Sequence, residues 1–186
     1  YVHPANGAEP FSEAWLRGLP TELIADAVLG DLDALEVVCL WTDEDGTAAL
    51  WHRFLNLGLP VAPIAGTDVM TNLVRTMAIG TTRVYVHQPN GLTWDSYLAG
   101  LKDGRSFVTN GPLVDFRPVP NGTVIRPGDV VPQGRVEYEL TVATTTEVET
   151  IDVLINGVVV ASEVGLAEPG SKTLRGHLDL PAGGWV

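Results

Sequence analysis

His3 and Asp68 are the residues of this 186-residue chain whose type and placement most suggest reactive chemistry. Each stands where an apolar, strand-like run gives way to a loop. The first run opens Tyr1-Val2-His3-Pro4, and the second begins at Leu59 and ends Ala65-Gly66-Thr67-Asp68. An imidazole and a carboxylate at the C-terminal ends of neighbouring parallel strands is how barrel-like α/β proteins build metal or catalytic sites. A neutral imidazole and a carboxylate suit Zn²⁺, Mn²⁺ or Fe²⁺, and such a cation acidifies water toward neutral pH. Two ligands do not complete a centre. On the residues alone, His3 reads first as a terminal residue without function. Asp68 reads equally as a turn or N-cap aspartate, because Thr71-Asn72 follow.

Four further residues border the same candidate pocket. Glu36 lies inside the apolar run 35–41, where a carboxylate either faces out at a strand end or points into a site. Asn72 either hydrogen-bonds a ligand or turns the chain. Thr109 and Asn110 close a strand-like run and precede the turn formers Gly111-Pro112. The other histidines are weaker candidates: His52 sits on a helix-like stretch, His87 ends a strand, and His177 lies in a β-rich portion. Cys39, the single cysteine, rules out an intrachain disulfide and a cysteine-rich zinc site, and its apolar surroundings make it a buried structural thiol. Asn121-Gly122-Thr123 matches the glycosylation sequon, which is short enough to arise by chance. Gly-x-Ser-x-Gly, P-loop and Rossmann patterns are absent from the sequence.

The elements that would position these residues change character near Pro112. Upstream, apolar runs at 1–3, 34–40, 61–66, 83–87 and 106–109 alternate with helix-like stretches at 10–18, 21–29, 47–57 and 94–101. In the third of these runs Leu50, Trp51, Phe54, Leu55 and Leu57 form an apolar side, and Gly58 ends it. Thr21 and Thr93 are expected N-caps, and Gly30 and Gly104 expected stops. That rhythm predicts parallel strands with right-handed crossovers. About four such units are too few to close a barrel of roughly eight strands. Both ends of the chain read as cut, with further strands expected before Tyr1. Downstream, runs at 113–117, 136–144, 150–155, 158–163 and 174–180 alternate with Gly, Pro and Asn. Asn156-Gly157 is a strong signal for a type I′ hairpin turn. The expectation is an α/β portion over 1–112 followed by an all-β, immunoglobulin-like sandwich over 113–186.

Bulk properties narrow the partners. A composition 45% hydrophobic and 18% charged fits a folded core rather than disorder. The net charge is −12 and Lys102 and Lys172 are the only lysines, so phosphate-driven nucleic-acid binding is not expected. No apolar stretch approaches the ~20 residues of a membrane span. An incomplete barrel would expose a sheet edge, which predicts a homo-oligomer. One cysteine fits either compartment; an extracytoplasmic location is slightly preferred.

The segments Val2-His3-Pro4, Ala34-Leu35-Glu36-Val37, residues 55–61, Ala65-Gly66-Thr67-Asp68 and Gly104-Arg105-Ser106-Phe107-Val108-Thr109-Asn110-Gly111-Pro112 resemble, in order and spacing, the C-terminal half of the PHP-type metallohydrolases, CehA/McbA-like branch. The resemblance covers residues 1 to about 125, and the segment from Gly104 is its most specific element. It implies the last four or so βα units of a distorted (βα) barrel, with His3 and Asp68 as metal ligands. The parent would hydrolyse a small-molecule ester, phosphoester, amide or carbamate with a divalent Zn, Mn or Fe. Two departures accompany it. Met70 stands where the family commonly has a histidine, and a thioether is a poor ligand for these metals. The family's early His-x-His element does not occur in the chain. The alternative expectation is therefore a non-catalytic scaffold or binding module with a degenerate site; the fragment alone is expected to be inactive, and the divalent metal is expected in the complete parent.

Overall fold

The structure is a computed structural model that describes residues 22–39, 44–70 and 78–186. The chain divides into two compact units, Tyr1–Asn110 and Gly111–Val186. The fold is mixed α/β and rich in strand, with open sheets. The strand expected over 1–3 and the helix expected over 10–18 lie outside the described residues.

In the first unit, helix α1 (Glu22–Leu29) buries Leu23 and Ala27, four residues apart on one face. Gly30 ends it at φ +81°, the left-handed conformation that favours glycine, and the Asp31 amide donates to the Asp26 carbonyl at 2.8 Å. Strand β1 (Ala34–Val38) alternates, with Leu35 and Val37 buried. Helix α2 (Glu44–Asn56) packs fully buried Leu50 and Phe54 into the same cluster, and strand β2 (Ala62–Ala65) follows. β1 and β2 pair in parallel, Ala34 against Ala62 through Val38 against Ala65. The Trp51 indole N–H donates to the Val61 carbonyl at 2.8 Å and fastens the helix to the start of β2. Leu57, expected on the apolar side, lies past the helix end and is exposed.

Strands β3 (Arg83–Val86) and β4 (Ser106–Thr109) flank helix α3 (Trp94–Lys102) and pair antiparallel, Arg83 against Thr109. This corrects the expectation of parallel strands throughout. The cause is the connection. Residues 87–93 carry the chain away from the end of β3, and α3, about 14 Å long, brings it back to that same end. A reciprocal capping box starts α3: the Ser96 amide donates to Thr93 Oγ1 at 3.1 Å, and the Thr93 amide donates to Ser96 Oγ at 2.9 Å. The Thr82 hydroxyl donates to the carbonyl of Gly66, so β3 starts at the rim where β2 ends. β4 therefore returns to that rim, running in the direction of β1 and β2. Among the described strands of this unit, β3 alone is reversed.

The second unit holds β5 (Leu113–Pro118), β6 (Gly134–Thr144), β7 (Val148–Ile155), β8 (Val158–Leu166) and β9 (Gly170–Leu180). They form antiparallel sheets ordered β5-β6-β9 and β7-β8. One core joins both sheets, with Tyr138, Leu140, Val142, Ile151, Val153 and Leu178 buried. β6 shows the period of two: Val136, Tyr138, Leu140 and Val142 face in, while Arg135, Glu137 and Glu139 face outward. Asn156 and Gly157 take φ +53° and +83° in the β7–β8 turn, as the type I′ signal predicts. No helix among the described residues is long and apolar enough to cross a membrane.

Candidate functional site

The alternation of β1 decides where Glu36 points. Leu35 and Val37 are committed to the core against the helices, so Glu36 occupies the opposite face. Parallel pairing sets Glu36 beside Ile64, which puts Gly66, two residues further along, on that same face. The Gly66 amide donates to the Val38 carbonyl at 3.3 Å, extending the ladder one rung past β2. A Cβ at Gly66 would lie 2.3 Å from Glu36 Oε1, so a glycine there leaves the carboxylate its place. Asp68 follows at φ +49°, a left-handed conformation that aspartate tolerates better than most residues.

Burial pushes the Glu36 carboxyl above its usual 4.5, the neighbouring Asp68 charge pushes it further, and a hydrogen bond from the Cys39 thiol opposes both. Glu36 Oε2 is buried and has no hydrogen-bond partner among the described residues. Cys39 is fully buried, and its contact with Glu36 adds a role that a merely packed thiol would not have.

The raised Glu36 value has a defined consequence for stability. The folded state binds this proton more tightly than the unfolded state, so the contribution is complete below the unfolded value and is lost as pH rises through the folded one. Glu36→Gln is therefore expected to raise Tm in chelator at about pH 8 and to leave it unchanged at about pH 4. Thermal melts at the two pH values read this, and a variant that melts lower at the higher pH contradicts it.

The remaining candidates fall as follows. His3 and Asn72 lie outside the described residues. Asp68 is exposed, and Met70 is 41% exposed. Thr109 ends β4 opposite Arg83 and is buried at the rim shared with β2, whereas Asn110 is exposed. His52 lies beside the Trp51 ring, 5.5 Å between centroids, and burial lowers its basicity. His177 faces outward near Glu137. Two groups at the site went unpredicted: the Cys39 thiol, three residues after Glu36, and Thr82, which reaches Gly66 from the bend just before β3.

The pair of carboxylates fits a hard or borderline divalent cation. Glu36 Oε2 is buried without a hydrogen-bond donor among the described residues, Oε1 takes the place a Cβ at Gly66 would occupy, and both carboxylates offer oxygen ligands. Among the described residues, no group of three or more His, Cys, Asp and Glu side chains stands together as a metal site. Searches against protein-family models, curated proteins and solved structures return no match for this chain.

Proposed function

We propose that this chain contributes Glu36 and Asp68 to the centre of a PHP-like, metal-dependent hydrolase acting on a small-molecule ester, phosphoester, amide or carbamate. The observation that carries this reading is the Glu36 carboxylate seated over Gly66 on the face of a parallel strand pair, with Asp68 two residues further along where that strand gives way to a turn. A divalent cation held there would acidify water and polarise the scissile group. Asp68, the more exposed carboxylate, would hold the cation. Glu36, with its raised proton affinity, would accept a proton from a water activated there. The Cys39 thiol orients the Glu36 carboxylate through its hydrogen bond. The second unit is an immunoglobulin-like sandwich appended to the partial barrel.

Calorimetric titration of the whole chain with Mn²⁺, then with Zn²⁺, tests the reading. One saturable site is expected, abolished in Asp68→Asn and weakened in Glu36→Gln. No binding at millimolar metal, or equal binding in a double Glu36→Gln, Asp68→Asn variant, refutes it. One observation favours a second reading, a non-catalytic scaffold with a degenerate site: Met70 offers a thioether at the position where the family resemblance calls for an imidazole.

A further inference from the structure

Beyond the ladder, the residues leaving β2 have little of their own to hold them. The Gly66 amide makes one bond, to the Val38 carbonyl at 3.3 Å, which is long for an N–H···O contact. Asp68 then sits in the left-handed region at φ +49°. The residues that reach this segment come from just before β3.

Thr82 is 2% exposed, and its hydroxyl donates to the Gly66 carbonyl. In return, the Thr67 hydroxyl donates to the Thr82 carbonyl at 3.2 Å. Thr67 Oγ1 also accepts from the Gly80 amide at 3.0 Å. Two bonds of opposite sense between the same two segments fix position and rotation together, which one bond cannot. The burial of Thr82 keeps water from competing for the Gly66 carbonyl. Replacing its hydroxyl with a methyl would leave that carbonyl unpaired.

We infer that Thr82 is a positioning residue: its reciprocal clasp with Gly66 and Thr67 holds the turn that carries the Asp68 carboxylate at the end of β2. The effect on a metal rests on the reading under Proposed function; the clasp itself does not. Any cation bound by Asp68 then depends on a hydroxyl that never touches it, as outer-shell partners commonly orient metal ligands.

Thr82→Val and Thr82→Ser separate the hydroxyl from the packing. Mn²⁺ affinity measured on the whole chain is expected to fall roughly 10- to 100-fold in Thr82→Val and to stay near wild type in Thr82→Ser, even though the serine variant loses a buried methyl and melts lower. Amide exchange at Gly66 and Gly80 is expected to speed up in the valine variant only. Thr82→Val with wild-type affinity and wild-type exchange overturns the inference, as does Thr82→Ser weakened as much as Thr82→Val. If wild-type protein binds no Mn²⁺, the metal reading fails by itself. Exchange at Gly66 and Gly80 then decides the clasp: faster exchange in Thr82→Val alone upholds it, and unchanged exchange overturns it.

Discussion

Phe54→Ala is expected to cost the first unit about 3–5 kcal/mol, the usual range for deleting a buried phenylalanine. Phe54 is 1% exposed and joins α2 to the β1–β2 pair through a cluster with Leu23, Ala27, Leu35, Val37, Leu50 and Val61. A loss of that size is comparable with the whole stability of many domains. Amide exchange in β1 and β2 should become fast. Exchange in β6 should not change, because its own core contains none of these residues. Leu57→Ala, only a few residues away but 70% exposed, is the control and should change stability by no more than about 0.5 kcal/mol. Equal effects of the two substitutions would mean that Phe54 is not where the core is.

Gly165→Ala is expected to be the most damaging single methyl added to the second unit. A Cβ there would meet the Val148 carbonyl oxygen at 2.0 Å and its carbon at 2.7 Å. Backbone cannot swing aside as a side chain can, so β7 and β8 must separate near one end of their pairing. Overpacking of this kind costs about 1–3 kcal/mol. Each kcal/mol lowers Tm by roughly 4–8 °C for a domain of this size. Gly170→Ala provides the comparison, since its nearest neighbour would lie at 3.6 Å, ordinary contact. Melting curves for the two variants decide it, and a Gly165→Ala protein as stable as Gly170→Ala removes the argument.

Local signals in the sequence were read well because the physics behind them is local. The Thr93 cap needs only Ser96, three residues on, and Asn156-Gly157 needs only its own backbone freedom. Periodicity placed α1, β1, β2 and every strand of the second unit within a few residues. It placed the start of α2 late, because Glu44-Asp45-Gly46 carry no apolar mark. The direction of β3 was not legible. Strand-helix-strand spacing is the same whether the connection crosses the sheet or returns to the end it left, and the length of residues 87–93 settles that only in three dimensions. At the candidate site, Asp68 stands out by type, whereas the sequence does not say which face Glu36 takes; the burial of Leu35 and Val37 does. Cys39 and Thr82 were missed for one reason: their parts depend on which strands lie side by side, and nothing in a hydroxyl or a thiol announces its partner.

The pairing of β6 with β9, from Gly134 against Leu180 to Thr144 against Gly170, has a consequence for how the chain comes off the ribosome. β5 can zip onto β6 as soon as both emerge, and the β7–β8 hairpin can close on its own tight turn. The far side of β6 must wait until β9 has been translated, roughly a few seconds at ordinary elongation rates. During that interval an eleven-residue strand with apolar Val136, Leu140 and Val142 is nascent and half-paired. That is the moment at which a neighbouring polypeptide or a chaperone competes with β9 for the same hydrogen bonds.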